Sequence, residues 1–178
     1  MYQLVKGRPE DCTGREEKEI RVYDLLDQLG IEYERIDHER TDTMEACEEV
    51  DKSLNAATCK NLFLCNRQKT DFYLLMMPGD KKFLTKDLSK QLGTARLSFA
   101  GAEEMEQYLD ITPGSVSVMG LMNDHGNQVR LLVDTDLLKD EYFGCHPCVN
   151  TVSLRIKIKA VIEIFAKAVG HDITYVTL

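Results

Sequence analysis

Residues 57–77 read ATCKNLFLCNRQKTDFYLLMM, two apolar runs of strand length separated by the polar turn NRQKT. Runs this rich in Leu, Phe and Tyr, close in the chain and bounded by turn residues, predict an antiparallel hairpin. Both are almost continuously apolar, as strands buried on both faces of a sheet are. Lys60 and Asn61 break that pattern. In an extended chain Lys60 shares a face with Leu62 and Leu64, while Asn61 shares the other with Phe63. A lysine at the mouth of a buried strand costs free energy unless its ammonium escapes past an edge or meets an anion. The two neighbours can touch one ligand only if the strand begins irregularly.

Upstream, Arg15 to Gly30 shows helical spacing of Ile20, Leu25, Leu26 and Leu29, with Gly30 placed to end the helix. IEYERID (31–37) alternates as a strand. Thr43 is placed to cap a second helix carrying Met44, Cys47, Val50 and Leu54 on one side. Downstream, PGD (78–80) breaks the hairpin's second strand, Thr85 caps a short helix with Leu88 and Leu92 inward, and Gly93 ends it. ARLSFA (95–100) reads as a strand and AEEMEQYL (102–109) as an acidic helix. TPGSVSVMGLM (112–122) predicts a turn leading into a strand, which QVRLLVD (128–134) joins as a second hairpin across the turn NDHGN. TVSLRIKI (151–158) alternates, and a last helix covers roughly 159–169, closed by Gly170. With no repeat, linker or low-complexity tract, this is one mixed α+β domain over residues 1–178.

The net charge of -8 speaks against nucleic acid until its distribution is read. Residues 1–51 hold 7 basic and 16 acidic side chains; residues 52–96 hold 9 basic and 3 acidic; the remainder holds 6 and 11. The middle third can face a polyanion that the rest repels. No apolar run approaches the roughly 18 residues that span a bilayer, and the N-terminus MYQLVKGRPEDC lacks a secretory apolar region, so a cytoplasmic location is expected. Six cysteines in that setting are expected as reduced thiols.

Cys145-His146-Pro147-Cys148 has the C-x-x-C spacing of redox and zinc sites. A redox motif wants its first cysteine at a helix N-terminus, and the residues that follow here are β-like. A closed zinc site needs two more ligands, and no second close cysteine pair exists. Packing residues are the preferred reading of the cysteines, with no metal and no cofactor expected. His146 sits in an irregular loop of the kind that carries function; the alternative is a loop histidine bonded to nearby backbone. His38, His125 and His171, at element ends or in a turn, read as solvated. In TPGSVS (112–117), Gly114 permits close backbone approach, and N–H groups beside Ser115 can hold a carbonyl or phosphate oxygen, where a plain β-turn is the alternative. There is no glycine-rich phosphate loop, no H-E-x-x-H and no defensible Ser-His-Asp order.

Taken in order, T-x-E-A (43–46), KNLFL (60–64), YLLMMPGDKKF (73–83), LGTARLSFA (92–100), ITPGSVSVMGLMND (111–124), GCHPCVNTVSL (144–154) and a final GH (170–171) resemble the prolyl-tRNA editing proteins. These are stand-alone relatives, here of the ProX type, of the editing insertion domain of bacterial prolyl-tRNA synthetase, the YbaK-like fold. The resemblance covers nearly the whole chain. It implies an α+β fold with a mixed, strongly curved sheet and surrounding short helices. It also implies hydrolysis of the ester joining a wrong amino acid to proline tRNA. Lys followed by Asn resembles the branch that clears alanine; Lys followed by Thr marks the branch that clears cysteine. The implied partners are alanine-charged tRNA(Pro), gripped at its CCA end, and prolyl-tRNA synthetase. Lys60 and Asn61 match the family's catalytic positions, and Gly114, Ser115, His146 and Thr43 match substrate-binding ones. Val118 and Met119 stand where the family commonly shows Pro and Phe, which bears on the pocket wall. Clearance of Cys- or Ser-tRNA, or ligand sensing without turnover, are the competing readings.

Overall fold

The computed structural model describes residues 1–178 except Asp42, and Met44 by its backbone alone. The chain opens with β1 (Val5–Lys6), α1 (Glu17–Gln28), β2 (Tyr33–Asp37) and α2 (Met44–Leu54). The hairpin follows as β3 (Cys59–Cys65) and β4 (Phe72–Pro78), then α3 (Thr85–Leu92), β5 (Ser98–Phe99) and α4 (Ala102–Leu109). A 3-10 segment (Val118–Asn123) leads to β6 (Val129–Asp134), and a second one (Thr135–Lys139) to β7 (Tyr142–Cys145) and β8 (Val152–Lys157). Ile158–Ala160, the π-helical Val161–Phe165 and Ala166–Ala168 run on as one helix, α5, before β9 (Ile173–Val176).

The mixed α+β class is as the sequence reads, and the strands divide between two sheets that do not close into a barrel. One is antiparallel, in the order β1-β2-β8-β7; the other is mixed, in the order β5-β3-β4-β6-β9. The hairpin forms the centre of the second, with Lys60 opposite Met77 and Asn61 opposite Met76. Phe63, Cys65, Leu74 and Met76 turn to the large core shared with the first sheet and α1. Leu64, Tyr73, Leu75 and Met77 turn to a smaller core on the other face, closed by Leu88 of α3. Strand β3 is therefore apolar on both faces because both are covered. The sheets meet where Ala57, just before β3, bridges to Phe143 of β7: Ala57 N–H donates to Tyr142 O at 3.0 Å, and Gly144 N–H to Ala57 O at 3.1 Å.

Several expectations give way to tertiary context. Residues 118–123 form no strand: Ser117 accepts from Met119 N–H at the start of the 3-10 segment, and Gly120 lies so close to its neighbours that a Cβ would stand 2.5 Å from Ile111 Cδ1. Val118 to Leu121 are buried all round, and such a run carries no period by which to tell strand from helix. The second hairpin is accordingly absent; β6 runs parallel to both β4 and β9. Thr85 is the first helical residue of α3, with Leu84 in the capping position, and the Thr85 carbonyl takes the Ser89 hydroxyl at 2.8 Å. On α2, Val50 and Leu54 are buried while Cys47 is exposed; the inward placement expected of Met44 falls outside the described side chains. His125 is exposed, but His38 and His171 are buried, the latter against Asp124.

Candidate active site between the two sheets

The bridge at Ala57 leaves a cavity of about 300 Å³ beside the start of β3, walled by Asn61, Gly114, Val116, Gly144, His146 and Ser153, with Asp51 of α2 among its lining residues. Gly144 lets Leu54 of α2 pack against β7: a Cβ there would stand 2.5 Å from Leu54 Cδ2, and that side chain would have to shift. Gly114 is required by conformation, with φ +90° in a turn closed by Ser115 N–H donating to Thr112 O at 3.1 Å.

Polar groups on these walls are only partly satisfied by the protein. The Asn61 side-chain oxygen is enclosed and has no hydrogen-bond partner, while its amide nitrogen lies 3.9 Å from Cys59 Sγ. Such an orphan costs roughly 1–3 kcal/mol unless a ligand or water completes it. Among the described residues the N–H groups of Gly114 and Val116 also make no hydrogen bond. His146 Nδ1 faces the Val152 carbonyl at 2.8 Å; a carbonyl only accepts, so Nδ1 carries the proton and neutral Nε2 is left as a bare acceptor. Burial pushes the His146 pKa below the ordinary histidine value, and the neighbouring His38 pushes the same way. The His38 ring lies 6.4 Å from that of His146 and is locked between Glu39 O at 2.7 Å and the Ser153 hydroxyl at 2.9 Å. Asp51 has its pKa raised by burial, against the Thr58 hydroxyl, which lowers it.

The sequence-derived candidates separate. Asn61, Gly114 and His146 meet in the cavity. Strand β3 starts regularly, so Lys60 leaves it on the opposite face, where its ammonium donates to Lys81 O at 2.7 Å. The Ser115 side chain is buried and its N–H is spent on the turn, so Val116 supplies the free N–H beside Gly114. Thr43 is exposed and serves as the N-cap of α2, accepting from Ala46 N–H at 3.2 Å. Val118 and Met119 are fully buried in the core and do not line the cavity, so the departure from the family pattern repacks the interior behind the wall. Cys145 and Cys148 are buried thiols; desolvation holds both pKa values up, that of Cys148 at about 12. Among the described residues no three His, Cys, Asp or Glu side chains gather as metal ligands do, and no helix is long and apolar enough to cross a membrane.

Unpaired hydrogen-bonding groups gathered at one cavity of a small α+β domain can receive one polar ligand end. Comparison makes this specific: residues 38–164 match the aminoacyl-tRNA editing domain, and the chain belongs to that family. It is 31% identical over 153 residues to the prolyl-tRNA editing protein ProX of Acetoanaerobium sticklandii, covering 86% of this chain and 93% of that one. It is 30% identical over 151 residues to the mouse (Mus musculus) prolyl-tRNA synthetase associated domain-containing protein 1, covering 83% and 88%. The fold matches the crystal structure of a candidate trans-editing enzyme for prolyl-tRNA synthetase, with TM-score 0.67 at 16% identity over 92% of this chain and 98% of that one.

Proposed function

We propose that the protein is an aminoacyl-tRNA deacylase that hydrolyses alanine from mischarged tRNA(Pro) in trans, proofreading for prolyl-tRNA synthetase. The carrying observation is that Asn61, His146, Gly114 and Val116, each with a hydrogen-bonding group that the fold leaves unpaired, line one cavity in a chain of this family. An aminoacyl ester is already activated, so a positioned water and donors for the developing oxyanion suffice. The Gly114 and Val116 N–H groups are the donors, and Asn61 orients the water through its side-chain oxygen. His146 Nε2 accepts from a hydroxyl of the terminal ribose. Lys60, on the far face of the strand with its ammonium on Lys81 O, is assigned a phosphate of the RNA where it leaves the cavity. Alanine, smaller than proline, passes a pocket that excludes proline, the second sieve that a synthetase cannot build into its own site.

A panel of tRNA(Pro) charged with alanine, cysteine or serine tests the reading. Preferential hydrolysis of the alanyl ester is expected, and a preference for cysteine or serine moves the substrate. Saturable binding with no hydrolysis above the spontaneous rate makes the protein a sensor. Lys60→Ala is expected to abolish measurable turnover in a folded protein; full activity removes Lys60 from the site.

A further inference from the structure

Turning Lys60 away from the cavity raises the question of what that face is for. The Lys60 ammonium pins the loop after β4 through Lys81 O, and Lys81 is itself held by Asp134 at 2.7 Å and by Leu178 O at 2.8 Å. The loop so fixed presents Lys82, Phe83 and Leu84 and leads straight into α3. Leu88 anchors α3 in the smaller core, which sets Lys86 and Lys90, each two positions from it, on the outward side of the helix. The chain then returns through exposed Arg96 to β5, the edge strand of the sheet, where Phe99 pairs with Leu64 and so stands on the same face as Lys60.

Phe99 is 62% exposed, the highest value of any large apolar side chain among the described residues after the terminal Met1, and its ring meets Phe83 edge-on at 6.0 Å between centroids. Leu84 beside it is 48% exposed. Lys82, Lys86, Lys90 and Arg96 are exposed, and among the described residues none has a carboxylate within ion-pairing distance. The contrast is local: Lys69 pairs with Glu104 at 2.7 Å, and Lys81 with Asp134 and Asp136. A protein of net charge -8 thus keeps unneutralised cations around an exposed aromatic ring on one side. An RNA strand uses both features at once, phosphates on the cations and a base on the ring.

We infer that this face, formed by the loop at 81–84, α3 and β5, is the track along which the unpaired 3′ nucleotides of the substrate RNA leave the cavity, with one base stacked on Phe99. The inference rests on the deacylase reading for its ligand. Lys60, next in the chain to the cavity residue Asn61 but on the face of the track, is where the RNA passes from one face of the sheet to the other.

The test is binding of an uncharged RNA hairpin ending in single-stranded CCA to the full-length protein at several salt concentrations. Neutralising Lys86, Lys90 and Arg96 together (each to Ser) is expected to flatten the dependence of log affinity on log salt by about 2. Phe99→Ala is expected to weaken binding about tenfold with little change in that slope. Thermal melting confirms that each variant is folded. Parent-like affinity and slope in the triple variant overturn the inference, as does a parent that self-associates through this face in light scattering and becomes monomeric as Phe99→Ala. Hydrolysis of 3′-O-alanyl-adenosine by the parent, a substrate too short to lie on the face, judges the site reading separately. No hydrolysis of it or of the charged RNA ends that reading, while the binding series still decides the track.

Discussion

Half-buried His146 and buried His171 each sit at the end of a secondary-structure element, and the protein treats them oppositely. His171 has both nitrogens committed, to Val169 O and to Asp124 Oδ2, each at 2.9 Å. Asp124 in turn accepts the backbone N–H groups of Gln128 and Val129, at 3.1 and 2.8 Å. Every polar atom of that cluster is closed by the fold, and what it does is hold the entry to β6 against the end of α5. His146 has one nitrogen closed by Val152 and the other without a partner, beside a cavity where the Asn61 side-chain oxygen and the Gly114 and Val116 N–H groups lack one too. Closure marks structure, and capacity left open marks a place for a ligand.

The largest effect that could break this contrast lies on the closed side. His171→Ala strands the Asp124 carboxylate in the interior, where it is only 5% exposed, and is expected to destabilise by about 3–5 kcal/mol, read from the denaturant midpoint. Hydrolysis per folded molecule should survive. A stable His171→Ala protein without activity would put His171 in the machinery and dissolve the distinction.

On the open side the order reverses. Asn61→Ala removes a side chain whose oxygen the fold does not satisfy, so melting should hold or rise. Turnover is expected to fall about 100-fold, the usual loss when one preorganised hydrogen-bonding group leaves a reacting centre. A drop in melting temperature with turnover intact would make Asn61 a structural amide.

Smaller in size but sharper in meaning is the pH profile. The open nitrogen of His146 acts as an acceptor only when neutral, and burial first, then His38, depress its pKa, against the bond to Val152, which raises it. Activity should therefore stay level through pH 7 and fall only below 6.5, as pH descends through the folded-state value. Stability follows the same sign: the unfolded chain takes up the proton first, so below 6.5 the fold loses the contribution that neutral His146 makes. An acid limb unchanged in His146→Asn would assign the titration to another group.

Local chemistry was legible from the residues; mutual closure was not. The hairpin, α1 with Gly30 and α4 are set by nearby patterns, and strand alternation already required Lys60 and Asn61 to diverge. Burial of His38 and His171 depends on partners far along the chain, Ser153 and Asp124, that no spacing reveals. The turn at Gly114 was visible, but not that its own hydrogen bond consumes the Ser115 N–H and passes the donor role to Val116. The 3-10 segment hid for a related reason, since its residues are buried on every side by elements folded around them.

Thr43 supplies the finest test, because family position and geometry pull it to different sides of the contrast. The sequence resemblance assigns it to substrate binding, yet its hydroxyl is engaged in capping α2, whose far end carries Asp51 and Leu54 to the cavity. If that bond is its whole role, Thr43→Ala should cost about 1 kcal/mol of stability, and Thr43→Ser should recover it. The kcat/KM for alanyl-tRNA(Pro) would then move less than twofold in either variant, an amount that loosening at the start of α2 can transmit. A tenfold loss of kcat/KM in Thr43→Ala at nearly unchanged melting temperature would show that the hydroxyl also meets the RNA. Thr43 would then be a group that the fold satisfies only until the substrate arrives.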